Sequence, residues 1–412
     1  MKKFPKDFLF GVSTSSYQIE GGNFNSDWYY FEKQGKIKTN SKICCDHRNR
    51  FKEDLSLLKK LNLNAYRFSL EWARVEPKEN QFDEKEIQYY KSIVKILRDN
   101  KIEPFLTLHH LTNPVWFYKK GGFEKKENLK YFLNYLRKIV KVFKKEVKFW
   151  IVFNEPNAFC FAGWTSGVNP PQKKDPILHL KVLRNILTCY QQSYKIIHQN
   201  IKRAQVGIAQ DIIFFEPFRK KSNLDWLATF LLDFISNEII IKNLYEGKTL
   251  FPLGVDKKKE KAKADFIGIN YYTRFLVRFD PNEFCFAKKI VNPKVKIKTQ
   301  TGWEVYPEGL TQVLLRFKKY KKPIYILENG IATLNEKERE KFILSHLEKI
   351  LQAIRRKINV KGYFYWSLLD NLEWAEGFTP KFGIVKVDFK TQKREIKESG
   401  YFYARIAKRK AI

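Results

Sequence analysis

Apolar residues along the chain follow two rhythms that take turns. Short unbroken runs rich in Val, Ile and aromatics have the signature of strands buried on both faces, and 3.6-residue stripes have that of amphipathic helices. The longest run is Phe149-Trp150-Ile151-Val152-Phe153, which leads straight into Asn154 and Glu155 before Pro156 stops it. Other strands are predicted at 8–13, 65–72, 103–110, 206–215, 265–272, 323–330 and 360–369. Helical stripes are predicted at 51–61, 87–97, 129–143, 177–197, 224–244, 309–317 and 336–355, with a last helix beginning near Ile396. Strand and helix alternate eight times. Alternation implies a parallel sheet covered by helices, and eight units predict a closed (β/α)8 barrel (TIM barrel).

No shift in composition marks a linker, so the pattern predicts one barrel domain over residues 1–412, although a chain of this length often divides. Such a barrel needs roughly 250 residues. The surplus is expected in extended strand-to-helix loops, chiefly the first, fourth, sixth and eighth, which build the face where barrel enzymes carry their sites.

Charge changes the picture less than its size suggests. The chain carries 78 Lys+Arg against 44 Asp+Glu, a formal net charge of +34. Such a field attracts phosphate or an anionic membrane. The basic residues, however, are scattered along helical patterns. The densest runs, Lys257-Lys258-Lys259 and Lys318-Lys319-Tyr320-Lys321-Lys322, lie far apart, as solvated helix faces do. No nucleic-acid-binding motif accompanies them, and no stretch reaches membrane-spanning length. A small-molecule partner is therefore expected, without specific nucleic acid or membrane. The five cysteines (44, 45, 160, 189 and 285) are odd in number and form no C-x-x-C. They argue for a reducing compartment and against a zinc site or a disulfide framework. With Phe8–Val12 too short for a signal sequence, a cytoplasmic protein without metal or cofactor is expected.

The candidate chemistry lies where the strands end. Arg67 ends the second; His109 and His110 the third; Asn154 and Glu155 the fourth. Asn270 and Tyr272 end the sixth, Glu328 and Asn329 the seventh, Trp366 the eighth. A single carboxylate at a strand tip says little. Two of them on one rim, with no metal-ligand cluster, suit acid/base and nucleophilic work, and glycoside hydrolysis needs such a pair.

The motifs at these ends, in order, are FLFGVSTSSYQIEGG (8–22), YRFSLEW (66–72), TLHH (107–110), FNEP (153–156) and DFIGINYY (265–272), then YILENG (325–330), WSLLDNLEW (366–374) and FGIVKV (382–387). Together they resemble the retaining β-glycosidases of glycoside hydrolase family 1, from end to end of the chain. The resemblance implies hydrolysis of terminal β-glycosyl residues, β-glucosides with β-galactosides or β-fucosides as alternatives, by double displacement. It implies Glu155 as acid/base and Glu328 as nucleophile, with Arg67 and Tyr272 keeping Glu328 charged and aimed. Gln18, His110, Asn154 and Glu373 match sugar-binding positions. Trp366 and Trp374 match stacking positions, Phe382 a pocket wall and Trp303 a platform for the aglycone. Asn270 is expected beside the acid/base, and His109 to be structural.

Three departures stand out: Leu111 replaces an aromatic wall, Leu327 a threonine, and the chain is short, with a more open cleft expected. Two other readings stay open, a 6-phospho-β-glycosidase and a non-catalytic sugar-binding barrel. The first is disfavoured because Glu373-Trp374 stands where phosphate-binding relatives carry Ser and Lys.

Overall fold

The computed structural model describes residues 2–254, 263–295 and 299–412, so the Lys257-Lys258-Lys259 run lies outside the described residues. Eight parallel strands close into a barrel: β1 (Leu9–Ser13), β2 (Ala65–Ser69), β3 (Glu103–His109), β4 (Phe149–Asn154), β5 (Gln205–Asp211), β6 (Ile267–Asn270), β7 (Ile324–Asn329) and β8 (Val360–Trp366). Each pairs with its neighbours in chain order, and β8 closes on β1. The expected TIM barrel is the fold of this chain.

Helices follow the strands as the stripes require: α1 (His47–Lys60), α2 (Glu84–Asp99), α3 (Leu129–Phe143), α4 (Pro176–Asn200), α5 (Asn223–Asp233), α6 (Pro307–Phe317), α7 (Glu336–Arg355) and α8 (Glu398–Arg409). Asp83, Asp175 and Asn335 cap α2, α4 and α7, each accepting two backbone N–H bonds in the first turn. Such caps fill donors that the helix itself leaves open.

The barrel interior is a separate aromatic plug. Phe105, Phe149, Ile151, Phe266, Tyr325, Leu327 and Phe364 fill it, and Phe105 stacks on Phe149 at 4.1 Å. Small neighbours make room: a Cβ on Gly207 would come within 2.8 Å of the Phe266 ring. Large and small residues alternate inward, as barrel layers demand. The plug gives the site above it a rigid, dry floor. It also accounts for Leu327, which faces this core, wholly buried.

Four elements differ from expectation. β2 ends at Ser69, because Trp72–Val75 forms a short helix capped by the Glu71 carboxylate; a buried aromatic run reads alike in strand and helix. β5 ends at Asp211. Phe214 and Phe215, read as its continuation, begin a separate strand (Phe214–Pro217) in a second sheet with Arg274–Phe279 and Ala287–Ile290 outside the barrel. The fifth loop thus joins those that enlarge the site face. The stripe read at 224–244 is interrupted by a π turn at Phe234–Glu238 before Ile239–Glu246. The last helix starts at Glu398 rather than near Ile396, which lies in a two-stranded ladder with Val385.

Candidate active site

The ladder slips at the two strand ends that carry Glu155 and Glu328. On β4 the pairing with β5 shifts between Ile151 and Asn154, and on β7 the pairing with β6 shifts between Ile326 and Glu328. Strict alternation would send every second residue out to the helices. On β4, Val152 and Phe153 both face the outer core, and Asn154 is thereby turned inward. Irregularities of this kind re-aim side chains beside sites. Glu155 follows in a left-handed conformation (φ 44°, ψ 58°), the entry to a short helix that opens with Pro156. A non-glycine residue in that region costs of order 1–3 kcal/mol, sustained only where the surroundings fix it. Here the Glu155 N–H donates to the Ala209 carbonyl at 2.7 Å.

Glu328 is buried and clamped. Arg67 Nη1 donates to its Oε1, and Tyr272 Oη donates to its Oε2 at 2.6 Å. Arg67, wholly buried, spends its other donors on Asn154 Oδ1 (2.6 Å) and Thr107 Oγ1 (3.2 Å). The guanidinium therefore ties β2, β3, β4 and β7 together while aiming one carboxylate. Burial pushes the Tyr272 phenol well above its ordinary range, with Glu328 and Glu155 adding to the effect, so it stays a donor.

Glu155 has a different environment. Asn270 Nδ2 donates to its Oε1 at 2.7 Å. Burial raises its carboxyl well above the ordinary range, and the charges of Glu328 and Asp211 raise it further; the Asn270 bond and Arg67 offset part of this.

The sugar-facing groups are oriented by what they have already bonded. Asn154 Oδ1 accepts from Arg67 and from Asn270, so its amide nitrogen points to His110 Nε2 at 3.2 Å. That makes His110 Nε2 the acceptor and leaves the proton on Nδ1, which is buried without a partner. Burial and the Arg67 charge hold this imidazole well below its usual pKa. Gln18 Nε2 donates to Asn371 Oδ1 (3.0 Å), the Leu372 carbonyl (2.6 Å) and Glu373 (3.4 Å), leaving its own Oε1 unpartnered. Asn270 Oδ1 is likewise free. A donor (His110) and two acceptors (Gln18 and Asn270) are thus buried without partners, a costly arrangement unless a polar ligand completes it.

The cavity they surround is about 270 Å3, near the lower end of ligand pockets, which run from about 300 Å3 upward. Trp366, Trp374, Trp303 and Phe382 line it, with Glu373 between the first two. His110 lies parallel to Trp366 at 6.0 Å and to Trp374 at 6.2 Å. Gln18 and Arg67 sit just behind the lining. Leu111 forms part of the wall in a left-handed conformation (φ 70°). His109 takes no part: Nε2 bonds Asn113 at 3.0 Å inside a ring of phenylalanines, and burial lowers its pKa to about 4. Asn329 is spent on Tyr271 and Tyr363.

One lining group went unread in the sequence. Asp211 ends β5, one of its carboxylate oxygens buried without a partner. Burial pushes it up to about 7 and the Glu328 charge adds to this, against backbone bonds and Lys289. The signal was present, a polar Gln-Asp pair ending an apolar run, but the run was read on through Phe215.

The described lining holds four carboxyl groups and no lysine or arginine. Burial, Glu376 and Glu328 raise Glu373 to about 8, against bonds from Trp366 and Gln18. Its charge at neutral pH is therefore muted. The poor fit to a phosphate comes from missing cations more than from repulsion by Glu373. Among the described residues no group of three His, Cys, Asp or Glu side chains is placed to hold a metal ion.

The model of glycosyl hydrolase family 1 matches residues 1–412. The chain belongs to this family. Its fold is that of a β-glycosidase from Pyrococcus horikoshii, 40% identical, with a TM-score of 0.94 over 100% of this chain and 96% of that one. It is also similar to the β-glucosidase from Thermotoga maritima solved in complex with castanospermine, 33% identical with a TM-score of 0.93 over 100% of both chains. A 6-phospho-β-galactosidase from Clostridium acetobutylicum is 30% identical over 100% of this chain and 98% of its own length. As a family 1 member the chain is a glycoside hydrolase of the β-glucosidase type.

Proposed function

We propose that this glycoside hydrolase removes single unphosphorylated sugars from the non-reducing ends of β-glycosides, β-glucosides first, by double displacement with retention. Glu328 attacks the anomeric carbon. Glu155 protonates the leaving oxygen, then deprotonates the water that releases the sugar. The observation that carries this reading is the contrast between the two carboxyls. Glu328 accepts from a guanidinium and a phenol, donors that suit the ionised form, which accepts only. Glu155 has one amide donor and a buried setting that favours the proton. Two carboxyls pushed apart by their surroundings are the mark of an acid paired with a nucleophile.

The small cavity above an aromatic floor supports exo action on one residue. His110 Nδ1, Gln18 Oε1 and Asn270 Oδ1 supply a donor and two acceptors for hydroxyls. Asn154 and Glu373 complete the polar set, and Trp366 and Trp374 offer flat faces to the ring. Phe382 walls the pocket of the sugar ring, and Trp303 is the platform on which the aglycone rests. Absence of a lining cation weighs against a 6-phospho sugar. Five unpaired cysteines, four of them buried, support a reducing, cytoplasmic setting. We treat the whole chain as one domain.

The test is stereochemical. NMR during hydrolysis of an aryl β-glucoside should show the β-sugar as the first product; an initial α-sugar would overturn the mechanism. Glu328→Gly should be inactive alone, and added azide should restore turnover by standing in for the lost nucleophile.

A further inference from the structure

Helix α5 is apolar on both sides. One side, with Ala228 and Leu232, packs on Phe215, Val277 and Ala287 of the outer sheet. The other carries Leu224, Trp226, Leu227 and Phe230, which are 51%, 54%, 50% and 64% exposed. A surface helix ordinarily turns polar residues to solvent, whereas this one turns four large apolar side chains outward and keeps Asp225 and Thr229 on its buried side. A contiguous exposed patch of large apolar groups marks an interaction site.

The loop before it is basic and held in shape. Asp225, buried, accepts from the Arg219 guanidinium at 2.7 and 2.9 Å and from its backbone N–H at 3.0 Å. Trp226 Nε1 donates to the Lys220 carbonyl at 2.9 Å, which fixes the indole over the loop. Lys220 and Lys221 are exposed and form no ion pair among the described residues. Aromatic and leucine side chains beside unpaired lysines are the composition of surfaces that lie in a lipid headgroup layer.

We propose that the exposed face of α5, with Lys220 and Lys221 at its rim, docks this protein on an anionic lipid bilayer. Charge decides between the two natural occupants. A second copy would bring another +34 to the contact, whereas an anionic bilayer attracts that charge. Such docking needs no spanning segment, and no helix among the described residues is long and apolar enough to cross a membrane. The expectation of no membrane partner rested on spanning length and on the scatter of the basic residues along the sequence. The inference does not depend on the reaction proposed above. Phe275 lies on the sheet beneath α5 and also lines the cavity, so the sheet that carries α5 reaches the cavity wall.

Co-sedimentation of the intact protein with phosphatidylglycerol vesicles, with phosphatidylcholine vesicles alongside, tests this. Binding is expected to the anionic vesicles only. Trp226→Asp with Phe230→Asp should weaken it about tenfold or more. Lys220→Glu with Lys221→Glu should weaken it about fivefold per lysine. Both doubles should retain hydrolysis of a chromogenic β-glucoside, which reports a folded chain. The lysine double, altered only at exposed positions, keeps the test valid if the aspartates disturb folding. No binding to anionic vesicles overturns the proposal, as does binding that neither double reduces or equal binding to both lipids. A dimer by light scattering that Phe230→Asp dissolves, without vesicle binding, assigns the face to a second copy instead.

Discussion

The catalytic cavity and the outer face of α5 both break the ordinary sorting of residues, in opposite directions. The cavity buries four carboxyl groups with no lining cation in a chain of net charge +34. The α5 face exposes four large apolar side chains. In the cavity the two central carboxyls are held by named partners, Glu328 by Arg67 and Tyr272 and Glu155 by Asn270. Arg67 alone bonds Glu328, Asn154 and Thr107, and His110 and Asn270 of the lining each keep one buried polar atom unpartnered. On α5 the outward apolar groups stand open to solvent, with only local contacts such as Trp226 Nε1 on the Lys220 carbonyl and Phe230 beside Phe234. Over-determined polar groups speak of chemistry, which needs positions held before the substrate arrives. Under-determined apolar groups speak of association, because a partner completes their burial.

The largest effect should come from breaking the cavity's division of labour. Glu155→Gln should lower kcat for alkyl β-glucosides by about 10^2- to 10^4-fold, the usual worth of a placed acid. Aryl substrates with good leaving groups should keep a fast first step, visible as a burst of released phenol. An equal loss on both substrate types would take the proton-donor role away from Glu155. A smaller loss follows at the clamp. Tyr272→Phe removes one hydrogen bond to Glu328, and a bond to a charged group contributes about 1.5–3 kcal/mol. That is about 10- to 100-fold in kcat/KM. No change would mean that Arg67 aims the carboxylate by itself.

Most of this cavity was legible in the chain, and most of α5's surroundings were not. The eight strands could be read because each apolar run stops at a polar residue, and polar residues at strand tips needed a reason. Glu328 could be found because ENG ends such a run; the direction of Leu327 could not be read from the chain, and its burial in the barrel plug settles it. Asp211 was missed for the converse reason. The apolar run continues past it into Ile212-Ile213-Phe214-Phe215, and periodicity does not separate one long strand from two that belong to different sheets. The π turn at Phe234–Glu238 was hidden because 3.6-residue stripes continue across it. The exposure of Trp226 and Phe230 was hidden too: an apolar stripe predicts a buried face and does not say when two faces compete for one core.

Asp211 gives the comparison a finer edge, through pH. Its charge is one of the causes that raise the Glu155 carboxyl, after burial and Glu328. Asp211→Asn removes that charge, so Glu155 should lose its proton at lower pH. The alkaline limb of kcat/KM should move down by up to about one unit, with the acid limb nearly unmoved. Stability should move the other way. Asp211 has a pKa raised from 3.8 to about 7 in the fold, so its burial disfavours the native state progressively between those two values and by a constant amount above them. The asparagine variant should match the parent near pH 4 and exceed it above pH 7, by on the order of 1–3 kcal/mol in denaturant unfolding. An unshifted alkaline limb would leave Asp211 as a wall residue only.

The smallest effect is expected from salt, and its smallness is the point. The cavity's ion pair, Arg67 with Glu328, is buried at hydrogen-bond distance, and burial favours the proton on Glu155. The +34 of the chain lies on exposed side chains and is screened within about 8–10 Å at physiological ionic strength. If the outer charge serves the surface and the cavity works independently, kcat/KM on a neutral aryl β-glucoside should change less than about twofold between low and physiological salt. Binding to phosphatidylglycerol vesicles should fall over the same range, since each exposed lysine loses part of its attraction. The two curves, measured on one preparation, separate the regions without any substitution. A steep fall in hydrolysis of the neutral substrate would mean that the outer field acts on the chemistry, and the independence of cavity and surface would be lost. Tight retention on nucleic acid at physiological salt would instead assign the field to a different polyanion.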